Sequence, residues 1–112
     1  MTPGKQAILN ALEALALSMR KEGVWPSTSP SNEALNSTVP FAVDAMDFES
    51  WLAFIFIPKM SQLIHSDAAL PEMEITPAAR LYLEDRSTPI IKQIAAIDGL
   101  VQTARVEQGM AQ

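Results

Sequence analysis

Trp51-Leu52-Ala53-Phe54-Ile55-Phe56-Ile57-Pro58 is the longest apolar run in the chain, and Met60, Leu63 and Ile64 carry it onward. A helix that is apolar all round must be surrounded by protein on most sides. The run is also far shorter than the roughly 20 residues of a membrane span. Pro58 removes a backbone donor and its ring crowds the carbonyl of Phe54, which costs about 3 kcal/mol in a helix interior. A helix kinked at Pro58 reconciles that cost with the stripe that continues beyond it. Its start is expected near Asp44 or Asp47, where a carboxylate can cap free N–H groups and Glu49 complements the positive helix end.

N-terminal to this helix lies a segment of different composition. Residues 24–43 are rich in Pro, Ser, Thr and Asn, with Pro26, Pro30 and Pro40 opposing helix. A short helical turn is expected near Asn32 to Leu35. Trp25, Leu35 and Phe41 argue against a free linker, because each forfeits roughly 1.5–3 kcal/mol if left in water. The loop is therefore predicted to be ordered and strapped over the helices by these three anchors.

Before the loop, Ile8, Leu12, Leu15 and Met19 recur at helical spacing from about Gly4 to Glu22. Gly23 then ends the helix as a cap residue does. After the central helix, Asp67 to Ile75 reads as a connection containing Pro71. Thr76-Pro77 reads as a cap followed by proline in the first turn. It opens a short helix to about Asp85, carrying Leu81 and Tyr82, with Glu84-Asp85 as its solvated end. Thr88-Pro89 repeats the start signal. The last helix is expected to reach about Gln108, with Ile90, Ile94, Ile97, Val101 and Ala104 on one face and Gly109 as its end.

No strand pattern with hairpin signals appears. The expected fold is all-α: a small antiparallel four-helix bundle, one domain over residues 1–112. It has a long ordered Pro-rich loop between the first two helices and a Pro-kinked second helix.

Composition narrows the function classes. There is no cysteine, which excludes disulfides, zinc thiolates and cysteine nucleophiles. The net charge is −5 and the eight Lys and Arg are scattered, so no direct contact with nucleic acid is expected. The N-terminus shows no signal-peptide pattern, and a cytoplasmic protein away from membranes is expected. His65 is the only histidine. Alone it completes no metal site, and as a general base it needs an orienting carboxylate, for which Asp67 is close only in sequence. It is better placed at the C-terminal end of the second helix, where positive charge is favoured. No nucleophile elbow, phosphate-cradling loop or di-iron Glu-His spacing is present. Neither catalytic residue, metal nor cofactor is expected.

Two sets of residues remain as candidates. Asn36, Ser37 and Thr38, with Asp44 and Trp25, have the polarity to line a surface pocket for a ligand or a partner's backbone. The competing reading is that they tie the loop to helix ends, as Asn, Ser and Thr commonly do. Trp51, Phe54, Phe56 and Met60 offer either core packing or an interface, since aromatic and Met side chains are enriched where proteins meet.

The stretch Leu35-Asn36-Ser37-Thr38-Val39-Pro40-Phe41, then Asp44-Ala45-Met46, Trp51-Leu52 and Ile57-Pro58-Lys59-Met60, resembles the YqcC-like family of small bacterial proteins. Trp25 stands where that family has a tryptophan before the loop. The motif block spans Trp25 to Met60, about a third of the chain; after Leu70 the likeness is one of helix layout. The resemblance implies a compact four-helix bundle and no assigned activity. It also implies a gene neighbourhood that often includes a tRNA pseudouridine synthase. The leading expectation is a non-catalytic interaction module, binding a protein partner or a second copy of itself. The alternatives are a small-molecule-binding protein or enzyme with a pocket near Asn36 to Asp44, and an accessory to tRNA modification.

Overall fold

In the computed structural model, residues 3–66, 68–83 and 88–110 are described, the last three by backbone alone. All regular structure among them is helical: α1 (Pro3–Lys21), α2 (Asn32–Leu35), a 3-10 turn (Pro40–Ala42), α3 (Phe48–Trp51), a π segment (Leu52–Phe56), α4 (Ile57–His65), α5 (Thr76–Leu83) and α6 (Thr88–Met110). Asp67, Glu84 and Asp85 lie outside the described residues, and with them the expected end of the short helix.

The two longest helices supply the predicted stripes. Ile8, Leu12, Leu15 and Met19 of α1 are buried, as are Ile90, Ile94, Ile97, Val101 and Ala104 of α6. Gly4, near the start of α1, lies against Ala104 and Glu107, near the end of α6, so the two helices run antiparallel. The same face of α1 begins with Lys5, which is also buried; a lysine's aliphatic stem packs like an apolar side chain. Gly23 terminates α1 with φ 74°. Its N–H donates to the Arg20 carbonyl and the Val24 N–H to the Met19 carbonyl, the paired bonds of a Schellman motif. Gly109, expected to end α6, instead lies within it.

The apolar run forms an unbroken helical stretch over residues 48–65, and it meets Pro58 through the π segment rather than a loss of helix. The Ile57 N–H donates to the Leu52 carbonyl, five residues back. A π turn widens the helix by one residue, which eases the crowding a proline imposes on the preceding turn. Leu52, Ala53 and Phe56 are buried, and Trp51, Phe54, Ile55 and Ile57 are half-buried. His65 closes α4, exposed, at the end that favours positive charge.

The Pro-rich segment is held by two of its three expected anchors. Trp25 and Phe41 are partly buried against the core, whereas Leu35 is exposed. Leu35 ends the four-residue α2, which is too short to turn both its ends toward the core. The start signal at Thr76 also needs correction. The Ile75 carbonyl, not Thr76, accepts the first bond of α5, from the Ala79 N–H. The Thr76 hydroxyl, in the first turn, donates to Asp98 Oδ2. Ala78, Ala79 and Leu83 form the buried face of α5, and Leu81 and Tyr82 are exposed.

Candidate functional site

Of the polar candidates, the structure joins Ser37 and Asp44. The Ser37 hydroxyl donates to Asp44 Oδ1 at 2.6 Å and accepts from the Val39 N–H at 3.3 Å. Asn36 closes α2, its N–H donating to the Asn32 and Glu33 carbonyls. Thr38 is exposed. Trp25 is engaged elsewhere: the Arg20 guanidinium lies 4.4 Å from its ring centroid and Phe54 packs at 6.4 Å. These contacts bind the loop to itself, to α1 and to the π segment.

The aromatic candidates separate by depth. Phe56 and Met60 are buried in the core, so they are removed from the surface as it stands. Their place follows from the π segment, which sets Leu52, Phe56, Met60 and Ile64 facing inward in one line. Trp51 and Phe54 are half-buried. Trp51 stacks on Phe48 at 5.7 Å and on Phe56 at 5.4 Å, with Phe41 edge-on at 5.0 Å. Tyr82 of α5 extends the stack, 5.7 Å from Phe48. Stacked and edge-on pairs each add about 0.5–1.5 kcal/mol beyond burial. The stack therefore ties the loop, residues 48–65 and α5 together.

Phe41 takes part at a cost. It and Ala42 have φ of 59° and 51°, the left-handed region that side chains other than Gly rarely adopt. Such positions cost about 1–3 kcal/mol each and persist only where surrounding packing holds them. Here the Phe41 ring against Phe48 and Trp51 supplies that packing.

Beside the strained pair lies a cleft of about 310 Å³, bounded by Val43, Met46, Asp47, Phe48, Glu49 and Tyr82. A second, of about 280 Å³, shares Met46 and Asp47 with it and runs on past Ser31, Ala34 and Ser50. A third, of about 460 Å³, lies among Glu72, Met73, Glu74, Asp98, Gly99 and Gln102. None of the three is lined by Trp25, Asn36, Ser37, Thr38 or Asp44.

Sequence reasoning missed Asp98 altogether. Its Oδ2 accepts from the Ile75 N–H at 2.9 Å, the Thr76 N–H at 2.8 Å and the Thr76 hydroxyl at 2.6 Å. A side chain of α6 thus caps α5. The signal was present: Asp98 stands four residues after Ile94, on the flank of the buried stripe, where a carboxylate must find donors.

Comparison with known proteins gives this geometry a family. The family described as DUF446, tRNA pseudouridine synthase C, matches residues 7–100. An uncharacterized protein of Haemophilus influenzae is 39% identical over 75 residues, 66% of this chain and 67% of that one. The uncharacterized protein YqcC of Escherichia coli is 38% identical over 63 residues, 56% of this chain and 55% of that one. The solution NMR structure of E. coli YqcC superposes with a TM-score of 0.79 at 25% identity, covering 89% of each chain. The chain belongs to the YqcC-like family. YqcC-like sequence also occurs within a longer protein: 53 residues, 47% of this chain, are 43% identical to a segment of the tRNA pseudouridine synthase C of Pectobacterium carotovorum. That segment is only 14% of the synthase's length.

Among the described residues, no helix is long and apolar enough to cross a membrane.

Proposed function

We propose that this YqcC-like chain is a non-catalytic interaction module whose partner is a tRNA pseudouridine synthase. The observation that carries the reading is the Pectobacterium synthase, where YqcC-like sequence and the printed synthase name share one polypeptide. Segments that occur within one chain in one organism are placed at high effective concentration there, and as separate chains they meet through an interface. The charge of −5 suits a module that docks on the enzyme rather than on tRNA phosphates. We take the scaffold of this module to be an antiparallel four-helix bundle of α1, residues 48–65, α5 and α6, bent at Pro58. The antiparallel α1 and α6 and the π segment before Pro58 support that arrangement.

The test is co-expression of the full chain with the tRNA pseudouridine synthase encoded in the same genome. Size exclusion with light scattering is expected to show a stable complex, and tRNA pseudouridine formation is expected to respond to the module. Separate elution together with unchanged synthase activity refutes the reading.

A further inference from the structure

The cleft between residues 43–49 and α5 combines an aromatic floor with an acidic rim. Its floor is aromatic and apolar. Phe48 is buried beneath it, stacked with Tyr82, and Tyr82 and Val43 stay 37% and 42% exposed. Met46 is half-buried beside them. Aromatic and Met side chains of this kind are enriched where one protein covers another.

Its rim is acidic. Asp47 is exposed and precedes α3, yet its carboxylate makes no capping bond to that helix. Glu49 lies on the same wall. The neighbouring cleft continues from Met46 and Asp47 to Ser31 and Ala34, so the two together have room for a length of chain rather than one side chain.

We infer that this cleft receives a basic, apolar segment of a protein partner, with a lysine or arginine set between Asp47 and the Tyr82 ring and apolar neighbours on Val43 and Met46. The inference rests on the reading of the chain as an interaction module. A cation gains from a carboxylate and from an aromatic face at once. An enzyme that acts on tRNA must carry such cations, because phosphates are held by lysine and arginine. A second copy of this chain fits less well, since its own charge is −5.

The test is a titration of the isotope-labelled full chain, followed by NMR, with a synthetic peptide of alternating arginine and leucine. A control peptide carries glutamate in place of arginine. Amide shifts are expected at residues 43–49 and around Tyr82, with the control peptide inert. Asp47→Lys is expected to weaken the peptide roughly tenfold, and Asp47→Asn by a smaller factor in the same direction. Added salt should weaken wild-type binding as well. Tyr82→Ala should lower affinity, with spectral changes in the free protein confined to α5 and the rings stacked with Phe48.

No shifts, shifts scattered over the surface, equal binding by Asp47→Lys, or equal binding of the control peptide overturns the inference. Shifts at these residues on raising protein concentration alone assign the cleft to a second copy and overturn it too. A synthase that fails to bind while the peptide titration holds refutes the proposed partner and leaves the cleft standing.

Discussion

Asp98, in the middle of α6, caps the start of α5 through Thr76: its Oδ2 accepts the Thr76 hydroxyl at 2.6 Å and the Thr76 N–H at 2.8 Å, across 22 residues of sequence. The Ile75 N–H joins them, within 3.0 Å of both carboxylate oxygens. A short helix has donors at its first turn with no partner of their own, and a carboxylate there also complements the helix dipole. Asp98→Ala strands partly buried donors, so a loss of about 2–3 kcal/mol is expected in urea denaturation. Asp98→Asn keeps one acceptor oxygen and loses the charge, so its loss should be smaller. Faster amide exchange at Ile75 and Thr76 in Asp98→Ala is the local signature. Unchanged exchange there means the cap is not holding the helix.

A pair of leucines reports which side of α5 faces inward. Leu83 is 1% exposed and Leu81 is 65% exposed. Leu83→Ala should cost about 2–5 kcal/mol, the range for emptying a packed leucine site. Leu81→Ala should stay within about 0.5 kcal/mol, as surface changes do. Comparable losses from both contradict the orientation described.

Trp51 stacks on Phe48 and Phe56 but remains half-buried. A fully buried Trp→Ala change costs about 3–5 kcal/mol. With part of the ring in water, Trp51→Ala is expected at the bottom of that range, about 3 kcal/mol, by thermal or chemical denaturation. Phe41 loses its edge-on partner in this variant, so amide exchange should rise at Phe41 and Ala42. A loss under about 1 kcal/mol sets the aromatic stack aside as a source of stability.

Pro58→Ala returns a backbone donor and removes the ring that crowds the preceding turn. The fold should survive it, with stability changed by less than about 1 kcal/mol, measured by thermal unfolding. The π segment should persist, because closing it to α rotates Leu52 relative to Phe56, Met60 and Ile64 by about 100°. All four are buried, so that rotation exposes core on one side. Its persistence is visible as a scalar coupling across the hydrogen bond from the Ile57 N–H to the Leu52 carbonyl. Collapse of the fold shows instead that the proline itself sets the packing.

Much of the fold is legible in the residues. The stripes Ile8-Leu12-Leu15-Met19 and Ile90-Ile94-Ile97-Val101-Ala104 name the buried faces of α1 and α6, because those helices are long enough to express the 3.6-residue period. Gly23 names the end of α1, because φ 74° suits glycine. The break in composition after Gly23 names the loop, and Trp25 and Phe41 name its anchors. The YqcC-like motif, read on residues 25–60, is matched by the family comparison.

The candidate site was less legible. The motif's polar residues drew attention to Asn36, Ser37 and Thr38, yet Ser37 is tied to Asp44 and Asn36 to α2. The acidic, aromatic cleft assembles Val43 to Glu49 with Tyr82, two segments more than 30 residues apart, so no local spacing announces it. The orientation of α5 was hidden for the same reason: its eight residues are too few to declare one face, and packing against distant elements decides it. Local period and backbone chemistry are written along the chain and can be read there. Which half-apolar surface turns inward, and which acid finds a donor, depends on neighbours that only folding brings together.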